Sequence, residues 1–357
     1  MANRRAAKKT TRKKRPAKLS EEELIQLVRR KAQRYVSLPN VTSVGVGDRL
    51  RAGERTDELT IQFTVRKKLS PELLAMNSVL ALPKVIVADD GREVPVDVVE
   101  RSYRPSYQIL QEPALPGFAP QGLTNNQMRR TRLATILPGI SVGHSEAETG
   151  TFGAVVYDAL NGTPYILSNW HVLQGVSGKV GDVVTQPGLH DDGNVSANVV
   201  GQVVRSHIGL AGDCAIATIS GRALDPRILE LNVVPKRIGI AKKGDKVVKS
   251  GRTSGVTFGI VSRVGVVFSM DYGAGEVQVG GFEIEPNPAK PPPEGEVSDI
   301  GDSGSIWLVD TNGPDKDVVL GLLFGGETDP NPAAEHAIAC NIHSVVQKLQ
   351  ISFKRPA

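Results

Sequence analysis

The second half of the chain consists of short apolar runs separated by glycine, aspartate and asparagine. Valine and isoleucine recur in these runs, and Tyr165–Leu167 and Cys214–Ile219 are typical examples. β-branched residues bounded by turn-forming residues favour strands over helices. The pattern therefore predicts a mainly β region of many short strands, which ends in a helix within Ala339–Leu349.

The stretch from residue 20 to residue 103 has a mixed pattern. Ser20 and Glu23 form a capping box, in which each side chain bonds the other's backbone N–H, and this predicts a helix to about Val36. Pro71 opens a short helical turn, since proline is tolerated at the first helical position. We expect a small α+β module without chemistry of its own, because it holds no Cys, no His and no clustered carboxylates at the spacing of metal ligands. Its predicted strands are Val41–Gly47, Leu59–Val65 and Val94–Val99.

Two segments beside this module lack hydrophobic periodicity. Residues 1–18 carry nine Lys or Arg and no acid, so residues 1–19 are predicted to be a disordered, solvated basic tail. Contact of the tail with nucleic acid, anionic lipid or an acidic partner stays open as the alternative, although no aromatic residue interleaves the charges. Residues 104–135 are rich in Pro, Gln, Asn and Arg and predict a linker.

Length and composition narrow the class of protein. The 357 residues can hold two domains, and 37 glycines with 4% aromatic residues suit tight turns between strands. Only two cysteines are present, Cys214 and Cys340, which favours a reducing, cytoplasmic location. No apolar run reaches the eighteen or so residues of a membrane span, and no apolar segment follows the basic start as a signal peptide requires.

The strongest chemical signal is the motif Gly301-Asp302-Ser303-Gly304-Ser305. A serine between glycines at a tight turn presents its hydroxyl group. It can also aim two backbone N–H groups, those of Gly301 and Ser303, at one point, as an oxyanion hole requires. Glycine at position 301 suits a positive φ. Since similar motifs occur in ordinary turns, the interpretation depends on partners elsewhere in the chain.

Two residues upstream have the chemistry of such partners. His171 follows the β-prone run Tyr165–Leu167, and a histidine at the end of a buried strand is well placed to act as a base. Asp213 opens an apolar strand, where a carboxylate is costly to bury unless it is hydrogen-bonded or paired. Orienting the imidazole of His171 would satisfy this carboxylate.

With these residues in the order His171, Asp213, Ser303, the chain resembles the trypsin-like (chymotrypsin-fold) serine peptidases, and more closely their bacterial members. Two departures are Asn169-Trp170, where many relatives have two alanines, and Ser305, where secreted members usually have glycine. The blocks that carry the resemblance lie within residues 136–351: Ser168–Leu173, Gly212–Ile219, Gly251–Gly259, Gly301–Ser305 and, more weakly, Gly321–Gly326.

The resemblance implies a double antiparallel β-barrel over residues 136–351, with a peptidase site in the cleft between the barrels. His171 and Asp213 would come from the first barrel and Ser303 from the second. The implied activity is a serine endopeptidase that cleaves protein or peptide substrates through an acyl-enzyme, with Gly301 and Ser303 N–H groups as the oxyanion hole. No metal or other cofactor is implied, and His190-Asp191-Asp192 is interpreted as a solvated turn.

The resemblance also assigns two supporting sets of residues. Arg252 matches an internal arginine that pairs with the aspartate before the nucleophile, so we expect a buried Arg252–Asp302 ion pair that holds the oxyanion loop. Val297, six residues before Ser303, is expected at the base of the primary substrate pocket and favours an apolar or small substrate residue. The expected wall of that pocket is Phe324, Gly325 and Gly326.

Two other classes of function stay open. A catalytically silent scaffold of this fold would bind a protein partner through its cleft, although the presence of His171, Asp213 and Ser303 argues against it. A nucleic-acid-associated protein would act through the basic residues 1–18. The sequence is compatible with a homo-oligomer, and it does not identify the natural substrate or the role of the N-terminal module.

Overall fold

The computed structural model describes residues 18–52, 54–76, 80–105, 124–146, 148–273, 275–327 and 335–356. Residues 1–17 of the predicted basic tail and residues 106–123 of the predicted linker lie outside these ranges. The strands are β1 (Val41–Arg51), β2 (Glu54–Val65), β3 (Val85–Val87), β4 (Glu93–Glu100), β5 (Tyr103–Pro105), β6 (Thr135–Ile136), β7 (Ser141–His144), β8 (Thr149–Thr151), β9 (Ala154–Asp158), β10 (Pro164–Ser168), β11 (Val183–Thr185), β12 (Val199–Gly209), β13 (Gly212–Ala217), β14 (Ala223–Leu224), β15 (Arg237–Ile238), β16 (Lys246–Gly251), β17 (Gly255–Asp271), β18 (Glu276–Pro286), β19 (Ile306–Val309), β20 (Val318–Glu327), β21 (Ala337–Asn341) and β22 (Ile351–Ser352).

Helices are few and short beside these strands. A π-helix at Val28–Ala32 and 3-10 helices at Gln33–Ser37, Pro293–Gly295 and Pro314–Asp317 complete the regular structure. The α-helices are α1 (Glu21–Leu27), α2 (Pro71–Met76), α3 (Asn125–Arg130), α4 (Trp170–Leu173), α5 (Val195–Asn198) and α6 (Ile342–Leu349).

Six strands of the C-terminal half close into an antiparallel barrel. They follow the order β16-β19-β20-β21-β18-β17, and the pairing of β16 with β17 closes the ring. A tight turn joins these two strands, where Gly251 pairs with Gly255, which has a φ of 67°. A closed ring leaves no unpaired edge around its circumference.

A second sheet of eight strands precedes the barrel in the chain, in the order β22-β9-β10-β13-β12-β11-β7-β8. Its own core contains fully buried residues such as Val142, Phe152 and Ile166. A separate apolar core joins this sheet to the barrel, with Ile216 on one side and Phe268 on the other. The fold is therefore mainly β, with two antiparallel β layers packed side by side, as the sequence predicts.

The N-terminal module continues the sheet of the barrel. Ser20 and Glu23 make the predicted capping box, and helical backbone extends to Ser37, one residue beyond the predicted end. The strands β1, β2 and β4 contain the three predicted β runs. Because β1 pairs with β17, the strands β1-β2-β4-β3 add to one side of the barrel's sheet.

Residues 124–135 are more ordered than the predicted linker. Thr124 caps α3, and the side chain of Arg129 is fully buried. Its guanidinium donates to the carbonyl oxygens of Gly139 at 2.8 Å and Gly251 at 2.7 Å, and to Glu230 Oε1 at 2.6 Å. These terminal donors find acceptors inside the fold, so Arg129 anchors this segment to both β layers.

The predicted C-terminal helix is present as α6, which contacts β12 and β13 of the first sheet as well as β20 and β21 of the barrel. Among the described residues, no helix combines the length and the apolar character needed to cross a membrane.

Candidate active site

His171 lies in α4, just after β10, and is 2% exposed. The strands β10 and β13 are antiparallel neighbours with Ser168 opposite Ala215, so the residues after β10 come alongside the start of β13. Asn169 fixes this corner because its side-chain amide donates to the backbone oxygen of Asp213 at 2.7 Å. Local strand pairing therefore brings His171 to Asp213.

Asp213 is fully buried and its carboxylate is saturated with donors. Its Oδ2 accepts a short hydrogen bond from Nδ1 of His171, and its Oδ1 accepts from the His171 backbone N–H at 3.2 Å. The hydroxyl of Tyr272 donates to Oδ2 at 2.8 Å. A buried carboxylate needs such donors to offset its lost hydration. With Nδ1 donating to Asp213, Nε2 is the nitrogen that carries the imidazole's lone pair.

Ser303 comes from the barrel, in the turn before β19, and its side chain is fully buried. Its carbonyl oxygen accepts from the backbone N–H of Thr151 at 2.7 Å. At the neighbouring Gly150, an added Cβ would lie 2.5 Å from Val172 Cγ2 and 2.7 Å from the oxygen of Ser303. The strand β8 thus packs against both the helix of His171 and the loop of Ser303, so these two segments lie on the same side of the first sheet.

The Ser303 hydroxyl makes no hydrogen bond within the part of the chain that the structure describes. Gly301 has a φ of 98° and Gly304 a φ of 95°, so the loop adopts the left-handed backbone that glycine at 301 suggested. The N–H groups of Asp302 and Gly304 bond Asp299 and Leu323. Those of Gly301 and Ser303 have no such acceptor among the described residues, as an oxyanion hole requires.

The predicted Arg252–Asp302 ion pair is wrong. Asp302 pairs instead with Lys249, whose Nζ lies 2.9 Å from Oδ2, and both side chains are fully buried. Lys249 also donates to Ser254 Oγ at 2.6 Å. Burial alone would raise the pKa of Asp302, but the Lys249 ammonium and the hydrogen bond from Ser254 outweigh it and hold that pKa below its usual value.

Arg252 turns to the other side of the loop and binds Asp191 in a bidentate pair. Its Nε lies 2.7 Å from Oδ2 and its second terminal nitrogen 2.5 Å from Oδ1, and both side chains are nearly buried. Asp191, interpreted from sequence as part of a solvated turn, is therefore structural. Arg252 still borders the oxyanion loop, because a Cβ on Gly301 would lie 2.4 Å from its guanidinium.

The predicted substrate-binding residues have two different settings. Val297 and Phe324 are fully buried, Val297 in the apolar core shared by barrel and module and Phe324 against Phe268 at 5.7 Å. Gly325 and Gly326 lie in β20 beside the Ser303 loop, but their strand edge is paired with β5. The two glycines thus lie on a strand edge that is paired within the chain, and the Val297 side chain has a core position.

Two carboxyl groups lie next to Val297. Oε1 of Glu335 accepts from the N–H groups of Val297 at 3.0 Å and Ser298 at 3.4 Å. Burial, together with the charge and hydrogen bond of Glu296, raises the pKa of Glu335 to about 8. A carboxyl group with this pKa is mostly neutral at pH 7, so it adds little fixed charge to this side of the site.

Several residues of the site have little or no signal in the sequence. Tyr272 follows β17 in an ordinary turn beside Gly273. The sulfur of Cys340 accepts from the Asp213 N–H at 3.2 Å, but in the sequence Cys340 is indistinguishable from a core thiol. Lys249 did have a usable signal, since a lone lysine in the apolar run Val247–Ser250 must have a buried partner if the run is buried. Glu148, near His171, was also not predicted from the sequence. Burial raises the pKa of Glu148 to about 7, and the charge of His171 opposes this rise.

No protein-family model matches the chain, and no curated protein matches it. Among solved structures, it is similar to Thermobifida fusca protease A at 19% identity and a TM-score of 0.45, covering 61% of this chain and 98% of that chain. A Nocardiopsis protease gives 17% identity and a TM-score of 0.44, with 61% and 98% covered. Cellulomonas bogoriensis chymotrypsin gives 15% identity and a TM-score of 0.44, with 62% and 100% covered. Because identity and TM-score are low in each case, we infer function from side-chain geometry alone.

Replacing Lys249 tests the buried ion pair. Lys249→Met leaves Asp302 buried without its cation, so we expect the free energy of unfolding to fall by about 3–5 kcal/mol. Urea denaturation measures this, with Lys246→Met as the control because Lys246 is exposed on the same strand. Equal stability of the two variants would contradict the assignment of Lys249 as the partner of Asp302.

Removing the Tyr272 hydroxyl tests its role at Asp213. Tyr272→Phe deletes one donor to a buried carboxylate, so stability should fall by about 1.5–3 kcal/mol. Urea denaturation measures this, with Tyr157→Phe, away from the site, as the matched control. A Tyr272→Phe variant that behaves like it would remove Tyr272 from the site.

The raised pKa of Glu335 predicts a dependence of stability on pH. Between pH 4.5 and about 8 the unfolded chain has lost this proton while the folded chain keeps it, so the free energy of unfolding falls as pH rises. Glu335→Gln removes this contribution and should lose less stability between pH 5 and pH 8 than the parent chain does. Urea denaturation at both pH values measures it, with the exposed Glu54→Gln as control. A parallel decline in all three proteins would show that Glu335 does not hold its proton.

Proposed function

We propose that the protein is a serine endopeptidase that hydrolyses peptide bonds through an acyl-enzyme. The observation that carries the proposal is the buried His171–Asp213 pair next to the loop of Ser303. A histidine held by a buried carboxylate, beside a serine hydroxyl without another partner among the described residues, is the arrangement of nucleophile, base and orienting group that acyl transfer uses.

The proposed reaction begins when the hydroxyl oxygen of Ser303 attacks the carbonyl carbon of the scissile bond. Nε2 of His171 takes the hydroxyl proton and delivers it to the leaving amine. Asp213 keeps the proton on Nδ1 in place and stabilises the imidazolium that forms. Water then attacks the acyl-serine ester, and His171 again takes and returns a proton, which regenerates Ser303.

Negative charge that develops on the carbonyl oxygen would be stabilised by the N–H groups of Gly301 and Ser303. Removing one donor of such a pair costs about 3–4 kcal/mol of transition-state stabilisation. The Lys249–Asp302 pair supports these donors indirectly, because Asp302 also accepts from the N–H groups of Thr253 at 2.8 Å and Asp299 at 3.1 Å. Asp302 thereby ties the loop to the β16–β17 turn and to Asp299, using only residues inside the fold.

We propose that the substrate residue before the scissile bond is apolar or small. Gly325 and Gly326 carry no side chain that could contact such a residue, and Val297 and Phe324 contribute no charge. Glu335, with a pKa of about 8, is mostly protonated at neutral pH and does not mark the site for a basic side chain.

A cytoplasmic location is proposed from the thiols. Cys214 and Cys340 are both free and buried, and burial raises the pKa of each. Inert thiols without a disulfide suit a reducing compartment. Binding of nucleic acid or an acidic partner by the basic residues 1–18 stays a prediction outside this proposal.

A fluorophosphonate probe together with a peptide-cleavage assay tests the activity. We expect covalent labelling at Ser303, and a loss of peptide hydrolysis on the order of 10⁶-fold in Ser303→Ala, since single triad deletions remove nearly all catalysis. Ser196→Ala, an exposed serine in α5, should leave labelling and hydrolysis intact. A folded protein that neither takes the label nor cleaves peptides would instead be the silent scaffold that the sequence left open.

A further inference from the structure

The strand β20 has an edge beside the nucleophile loop that the barrel itself does not use. Its first half pairs with β19, and the last pair is Ile306 with Leu322. Leu323 then bonds the loop directly, donating to Ser305 at 2.9 Å and accepting from Gly304 at 2.9 Å. Past this point β20 keeps β21 on its other side, so the β19 side of Gly325–Glu327 is an open edge for an extended chain.

The strand β5 of the same chain occupies that edge. Tyr103 pairs with Glu327, Arg104 with Gly326 and Pro105 with Gly325, all antiparallel. The register shows that β5 approaches the Ser303 loop with its C-terminal end. A Cβ on Gly325 would lie 2.4 Å from the carbonyl oxygen of Arg104, so glycine at this position permits the close approach.

A buried carboxylate holds β5 at its N-terminal end. Glu283 of β18 is fully buried and accepts from the Tyr103 hydroxyl at 2.6 Å. It also forms ion pairs with Arg101 and with Arg263, the latter at 3.0 Å. Burial alone would raise the pKa of Glu283, but Arg101 and Arg263 outweigh it and hold that pKa well below its usual range. The Tyr103 ring packs edge-on against Phe268 at 5.1 Å.

We propose that β5 is a built-in competitor for the edge of β20 from Gly325 to Glu327, so that this edge accepts a separate extended peptide only when β5 leaves it. An extended polypeptide substrate must displace β5 to reach Ser303, whereas a small ester need not. The second half of this statement rests on the proposed peptidase function; the occupancy of the edge does not.

Strand chemistry gives the reason for competition. One edge of a strand offers one row of N–H and C=O groups, so it pairs with one partner at a time. An occupant in the same chain competes at a high effective concentration, which weakens the apparent affinity for any separate peptide. Three paired residues are few, so β5 can be displaced while the ion pairs of Glu283 keep it nearby.

Two variants at one residue separate the paired backbone from the side chain. The Arg104 carbonyl faces β20. In an extended strand the N–H of a residue points to the same side as its C=O, so the Arg104 N–H also faces β20. Arg104→Pro removes this N–H donor and should release β5, whereas Arg104→Ala alters an exposed side chain and should leave β5 paired. Tyr103→Phe removes the hydrogen bond to Glu283 and should loosen β5 in part.

The binding measurement uses a fluorescent peptide that copies residues 101–105, Arg-Ser-Tyr-Arg-Pro, with every variant made in a Ser303→Ala background. We expect Arg104→Pro to bind it roughly fivefold or more tightly than Arg104→Ala, since the lost backbone bonds no longer compete. Amide hydrogen exchange at Gly326, whose N–H faces β5 because that of Glu327 bonds His336 on the other side, should be slow in Arg104→Ala and fast in Arg104→Pro without peptide. Equal affinities, or equal exchange at this amide, would overturn the proposal.

A kinetic measurement in chains that retain Ser303 tests displacement of β5 separately from the proposed peptidase function. Arg104→Pro should lower KM for an extended hexapeptide roughly fivefold or more relative to Arg104→Ala, while hydrolysis of p-nitrophenyl acetate is the same in both. An unchanged hexapeptide KM with ester hydrolysis intact would overturn displacement. Absence of ester hydrolysis and of fluorophosphonate labelling in all variants would overturn the peptidase function, and the binding and exchange measurements would still decide whether β5 occupies the edge.

Discussion

The buried carboxylate of Asp213 is the constraint on which the site depends. A fully buried charge must be compensated by donors, and here they come from both β layers. His171 belongs to the first sheet and donates through its ring and its backbone N–H, whereas Tyr272 comes from the barrel and donates through its hydroxyl. Satisfying one carboxylate therefore fixes the imidazole and docks the two layers against each other, so catalytic geometry and fold stability share the same contacts.

Two further buried acids have comparable roles in other parts of the molecule. Asp302 with Lys249 ties the nucleophile loop to β16, and Glu283 with Arg101 and Arg263 ties β5 and the module to the barrel. Buried ion pairs contribute little net stability compared with apolar substitutes, but breaking one is costly. Each of the three buried acids fixes the position of another part of the molecule. Asp213 fixes the His171 ring, Asp302 fixes the nucleophile loop, and Glu283 fixes the strand β5.

Local patterns predicted much of this structure. The capping box of Ser20, the β runs and the glycine loop around Ser303 follow from short-range chemistry and are present. Long-range choices could not be predicted from one sequence. Arg252 and Lys249 are three residues apart on the same hairpin, and only the direction of each side chain decides which one meets Asp302. Likewise, no local pattern marks Arg129 as buried, because its partners at Gly139 and Gly251 come together only in the folded chain.

The rate at which a fluorophosphonate labels Ser303 in Asp213→Asn tests the central claim most directly. The amide keeps the size of the carboxylate but removes its charge and changes the imidazole tautomer it favours. If Asp213 orients His171 as the base for Ser303, labelling should slow by about 10⁴-fold while the protein stays folded. A folded Asp213→Asn variant that labels as fast as the parent chain would contradict the account.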